Sequence, residues 1–161
     1  MKRYVVAGLS VMSLMSLSAL VAWTAGAKRA EAHCQMPCGI YDDPARVAML
    51  REDVHTIGKA IQSITELAGS HTPEAINQSV RWVSTKDEHA SHIIDLMANY
   101  FLAQRVKPVA QGAEGHDEYL TKLEKHHAVI VAAMKAKQNA DMKYADDLSH
   151  AIDGIAGYYT K

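Results

Sequence analysis

DDPARVAMLREDVHTIGKAIQSITELA, residues 42–68, is the stretch whose reading decides the fold. Val47, Leu50, Val54, Ile57, Ile61 and Ile64 follow one another at alternating steps of three and four, which gathers them on one face of an α-helix. Asp42-Asp43-Pro44 reads as a helix start, an Asp N-cap with Pro at the first helical position, where a missing N–H breaks no bond. Gly69-Ser70 marks the end. The result is an amphipathic helix to about Ala68, whose single apolar stripe calls for partner helices.

Three more segments supply them. Thr72-Pro73-Glu74 opens a second helix with Ile76, Val80, Val83, Ala90, Ile94, Met97 and Phe101 on its apolar face, and Pro108 ends it. Asp87 falls on that face and reads as a change of register rather than a buried functional carboxylate. Residues 109–115 form a loop with two glycines. The third helix carries Leu120, Leu123, His127, Ile130 and Met134. The fourth, from about Asn139 to Tyr159, carries Tyr144, Leu148, Ala151, Ile155 and Tyr158. No alternating strand pattern and no internal repeat occurs. Four helices with short connections predict an all-α, antiparallel up-and-down four-helix bundle.

Before residue 42 the chain changes character. Met1-Lys2-Arg3 is a short positive segment, and Tyr4 to Trp23 is an apolar run diluted by Ser10, Ser13, Ser16 and Ser18. Ala30-Glu31-Ala32 is a small-x-small site of the kind a signal peptidase cuts after. The expectation is that residues 1–32 are a removed leader and 33–161 a single domain. Removing 32 residues from 161 leaves 129, enough for one core. This predicts an exported protein, periplasmic or extracellular; the alternatives are an uncleaved anchor or a cytoplasmic protein with a cleaved propeptide. Lys2, Arg3, Lys28 and Arg29 against Glu31 give the leader +3, so a chain of −1 becomes about −4 on cleavage. A negative domain argues against a nucleic-acid partner. Most of the nine histidines read as solvated helix surface.

Cleavage after Ala32 would leave His33-Cys34-Gln35-Met36-Pro37-Cys38-Gly39-Ile40-Tyr41 as the new N-terminus. That peptide offers an α-amine, an imidazole, an amide nitrogen and two thiols within six residues. Thiolates and deprotonated amides are strong donors suited to nickel(II) in tetragonal geometry, and they stabilise nickel(III). A disulfide between Cys34 and Cys38 is the structural alternative in an oxidising compartment, although so short a loop would constrain little of the unfolded chain.

The segment resembles the nickel superoxide dismutase family, whose mature chains begin His-Cys-x-x-Pro-Cys-Gly-x-Tyr; the match falls at His33, Cys34, Pro37, Cys38, Gly39 and Tyr41. The resemblance is strongest over residues 33–44. It implies a bundle with this N-terminal hook, residues 33–41, projecting from one end. It also implies superoxide as substrate, a nickel ion as cofactor, and a homo-oligomer, a hexamer in the family. By resemblance the metal ligands are the His33 amine and imidazole, the Cys34 amide nitrogen, and the Cys34 and Cys38 sulfurs. Pro37 would bend the chain so that Cys38 returns to the metal, and Gly39 would permit close approach or a positive φ. Tyr41 would stand by the open face as a catalytic-site hydroxyl. Taken singly, Pro37 and Gly39 could be plain turn residues and Tyr41 a packing residue. The family's helix-1 glutamate is not matched, since Met49 falls at its position and Glu52 is the nearest carboxylate. In place of the family's supporting arginine the chain offers His89, with Arg81 further back.

Two other readings compete. Glu52-x-x-His55 and Glu124-x-x-His127, with Glu88, could furnish a ferritin-like di-iron carboxylate bundle, but the fourth helix has no glutamate. An exported nickel or copper carrier would use the same hook without turnover. Haem attachment lacks its C-x-x-C-H spacing, and a thioredoxin-like role lacks both spacing and strands.

Overall fold

Asp42 caps the first helix, its Oδ1 accepting the Ala45 amide at 3.1 Å. In the computed structural model, which describes residues 39–160, this helix, α1, spans Asp43–Leu67 with Pro44 in its first turn. Helix α2 spans Pro73–Leu96, with the Thr72 hydroxyl accepting the Ala75 amide at 3.2 Å. It continues without a break into a π-helical segment, Met97–Arg105. Val106 turns to extended backbone two residues before Pro108, a position where proline disfavours helix nearby. Helices α3, His116–Gln138, and α4, Met142–Ala156, complete the bundle. The described residues contain no strand.

The order around the bundle follows the chain: α1 packs on α2 and α4, and α3 packs on α2 and α4. Cross-helix bonds show each neighbour pair running antiparallel. Asp43 meets Arg105 while Asp53 meets His89 and His92, so α1 ascends as α2 descends. Arg51 meets Asp153, and Gly58 lies against Met142 and Ala145, the same relation between α1 and α4. The predicted up-and-down bundle is therefore the observed one. Its centre is filled by Leu50, Ile57, Ile61, Ile93, Met97, Phe101, Val129, Leu148, Ile152 and Ile155.

The expected face of α3 is rotated, and that of α2 only in its first half, since Ala90, Met97 and Phe101 are buried as expected. On α2, Ile76, Val80 and Val83 are exposed, and the inward line runs through Ala75, Lys86, Ala90, Ile93 and Met97. Lys86 explains the discrepancy. The residue is 3% exposed, and its ammonium donates to the carbonyls of Ala136 (3.0 Å) and Lys137 at the end of α3 and pairs with Asp87 at 2.9 Å. A cation there satisfies orphan carbonyls and the negative end of the helix dipole. Asp87 is thus the half-buried partner of an inward lysine. On α3 the inward residues are His126, Val129, Ala133 and Ala136, one position before the expected stripe; Leu120, His127 and Met134 face solvent. Small alanines and a histidine on the inward face escape a reading based on large apolar residues.

Candidate metal centre

His33, Cys34, Pro37 and Cys38 lie outside the described residues. The chain enters the description at Gly39, whose φ of +76° is the left-handed conformation that favours glycine directly after the second cysteine. Ile40 is exposed, and Tyr41, 38% exposed, lies against the end of the bundle formed by the start of α1 and the end of the π-segment.

Three residues hold Tyr41 there. The Tyr100 ring meets it edge-on at 5.9 Å, and the Arg105 guanidinium lies 4.4 Å from its centroid. Arg105 is itself fixed by Asp43: Nε donates to Oδ1 at 2.9 Å and Oδ2 at 3.1 Å, and Nη2 donates to Oδ2 at 2.6 Å. The Tyr100 hydroxyl donates to the same Oδ1 at 2.7 Å. Arg46 places its guanidinium 5.4 Å from the Tyr100 ring centroid. One carboxylate in the first turn of α1, favoured by the positive end of the helix, therefore orders both groups that contact Tyr41.

The electrostatics follow from this wiring. Burial acts to raise the Asp43 carboxyl, but hydrogen bonds from Arg105 and Tyr100 and the Arg105 charge outweigh it and hold the group below its ordinary value. Burial, with the Asp43 bond and charge, pushes Tyr100 up to about 12. The Asp43 bond raises Arg105 still further. Tyr100 thus keeps its proton and Arg105 its charge throughout the working range.

Behind this layer the aromatic packing continues inward. Phe101 is fully buried between Tyr100, 5.0 Å between centroids, and Tyr159, 4.7 Å. His126 is also fully buried, with Nδ1 at 2.6 Å from the Lys122 carbonyl and Nε2 at 2.6 Å from the Tyr159 hydroxyl. A carbonyl can only accept, so Nδ1 carries the proton and Nε2 accepts from Tyr159. Burial lowers the His126 pKa, against the opposing effect of the Lys122 carbonyl bond, and burial together with the Asp43 charge raises that of Tyr159.

The supports suggested by sequence are elsewhere. Glu52 is exposed, as is Arg81, and His89 is engaged with Asp53. Asp43, Tyr100 and Arg105 occupy the hook end instead. Arg105 stands 62 residues from Asp43 in the chain, so no local motif announces the pair. The residues of the di-iron reading, Glu52, His55, Glu88, Glu124 and His127, are all exposed and do not meet in the bundle interior. Among the described residues no group of three or more His, Cys, Asp or Glu side chains is arranged to hold an ion.

The donor chemistry just ahead of Gly39 suits a thiophilic ion that accepts tetragonal geometry, namely two thiols, an imidazole and an adjacent backbone amide. A family model described as nickel-containing superoxide dismutase matches residues 28–161. No curated protein and no solved structure matches the chain.

Proposed function

The chain belongs to the family of nickel-containing superoxide dismutases, and from that premise we propose that His33, Cys34 and Cys38 hold its nickel while Tyr41 stands at the open face of the site. The activity is that of an oxidoreductase: two superoxide anions and two protons become dioxygen and hydrogen peroxide. Nickel in a thiolate and amide donor set supplies a couple that alternates between the divalent and trivalent states. The remaining work falls to side chains.

The anchoring of Tyr41 carries this assignment of roles. Tyr41 follows Cys38 by three residues, so their Cα atoms are at most about 10 Å apart even along an extended chain. A ring fixed by Tyr100 and Arg105 beside the start of α1 is thus tethered within that reach of the residue that would supply the second thiolate. Its hydroxyl can order water, substrate or peroxide at that distance, while Tyr100, donating to Asp43, serves as a fixed neighbour rather than a base.

Cleavage after Ala32 completes the site in this reading. While Ala32 precedes it, the His33 nitrogen is an amide, a poor donor until deprotonated. Once freed it is an amine with pKa of roughly 8, readily displaced from its proton by a metal. Export fits the leader's composition. Self-association fits the exposed apolar stripe of Ile76, Val80 and Val83 on α2, which the monomer leaves uncovered.

The test uses chains beginning at His33, Ala32 and Met1, each loaded with nickel and assayed for superoxide removal. Only the first should be fully active. Equal activity in all three would remove amine ligation from the reading. Cys34→Ser and Cys38→Ser should each abolish nickel binding with helicity intact; loss of helicity would point to a structural disulfide.

A further inference from the structure

Asp53 lies in α1, ten residues beyond Asp43 and only 5% exposed. A carboxylate so placed needs partners. It has two, both imidazoles of α2: His89 Nδ1 is 2.7 Å from Oδ1, and His92 Nδ1 is 2.7 Å from Oδ2. An ionised carboxylate only accepts, so each ring carries its proton on Nδ1, and a neutral ring then presents a lone pair on Nε2. This is the way a carboxylate standing behind a ligating histidine fixes its tautomer and orientation. The three-residue spacing puts both rings on one face of α2. Their side chains are 37% and 46% exposed, and with Asp53 and the exposed Glu88 they line an open cleft of about 180 Å³. The hydrogen bonds found for these rings among the described residues are the two through Nδ1.

We propose that His89 and His92 form a second, surface site for a divalent first-row transition ion, with both Nε2 atoms as protein ligands and Asp53 as the carboxylate that orients them. Imidazole nitrogen selects zinc, copper or nickel over magnesium and calcium. Water completes the coordination of a site with two protein ligands. The step from Asp43 to Asp53 along α1 is about 15 Å, so the site is separate from the hook end and does not depend on how the hook is assigned.

The test is zinc(II) binding to the full chain carrying His33→Ala, Cys34→Ser and Cys38→Ser, measured by equilibrium dialysis and metal analysis. One zinc per chain is expected. Adding His89→Gln and His92→Gln should abolish it, because glutamine still donates to Asp53 but brings no ligand nitrogen; unchanged helicity confirms that the fold is kept. Asp53→Asn should weaken binding by about 10–100-fold, the usual cost of losing such an orienting partner. No zinc on the hook-less chain, or zinc retained after both glutamine substitutions, overturns the site. Unchanged affinity in Asp53→Asn overturns the part given to the carboxylate.

Discussion

Replacing Asp43 by asparagine removes one negative charge and leaves the side chain's shape almost unchanged, so it isolates the electrostatic part of the clamp on Tyr41. Asp43 accepts from Tyr100 and from two nitrogens of Arg105. Hydrogen bonds to charged groups contribute about 1.5–3 kcal/mol each when one partner is lost. Two facts reduce the total: asparagine keeps one acceptor, and the Arg105 side chain is 29% exposed, so water can solvate part of the freed guanidinium. A net loss of about 2 kcal/mol follows. For a domain of this size, at roughly 3–5 °C per kcal/mol, the thermal midpoint should fall by about 6–10 °C. The effect has a definite pH signature. Because the folded Asp43 pKa is depressed, its contribution is present above the unfolded value of about 3.9 and lost as pH falls through the folded value. The gap between wild type and Asp43→Asn should accordingly narrow in strong acid. The nickel-loaded variant should keep its metal, since no ligand is touched, and most of its turnover, while small-anion inhibition and peroxide inactivation change as Tyr41 loses its fixed place. Thermal unfolding across pH, metal analysis and a superoxide assay read all three. Unchanged midpoint and unchanged anion inhibition would refute the clamp; loss of nickel would mean that Asp43 acts on the hook itself.

Other changes probe the rest of the framework. Tyr41→Phe should retain nickel and most turnover while altering how small anions or peroxide reach the metal, read by anion inhibition and peroxide inactivation; complete metal loss would misplace the residue. Lys86→Met should destabilise the fold by about 1–3 kcal/mol in denaturant unfolding, because the Ala136 and Lys137 carbonyls lose a buried donor. Burial holds the His126 pKa below its ordinary value, so its neutral form stabilises the fold fully above the unfolded value of about 6.5. Stability should decline as pH drops below that point toward the folded value, and His126→Gln should remove this component of the pH dependence in thermal melts.

The bundle was legible because α1 obeys the helical period almost without exception, and a capped, single-striped helix demands neighbours. Helix α3 and the first half of α2 were legible as helix but not in rotation. Lys86 turns inward to close the end of α3, and the inward side of α3 is made of Ala133, Ala136 and His126, none of which stands out by size and hydropathy. Exposed Ile76, Val80 and Val83 mimic a core stripe that the monomer does not use. Periodicity therefore finds an element more readily than it finds which way that element faces.

The site divides along the same line. The hook can be proposed from sequence because its chemistry is contiguous: the thiols, imidazole and potential amine lie within six residues, and Gly39 with its positive φ follows directly. What surrounds Tyr41 is not contiguous. Asp43 reads locally as part of a helix start, Tyr100 as a core aromatic and Arg105 as an ordinary surface charge; only antiparallel pairing of α1 with the end of the π-segment makes them one unit. Asp53, His89 and His92 are hidden in the same way, each unremarkable in its own helix until α1 and α2 are set side by side. In an antiparallel pair the sum of two facing residue numbers stays nearly constant, so Asp43 opposite Arg105 already implies that Asp53 faces the region near residue 95. The clamp and the paired histidines are thus two consequences of one register. A substitution that shifts α1 against α2 should disturb both together, whereas one confined to the hook should leave the histidine pair unchanged.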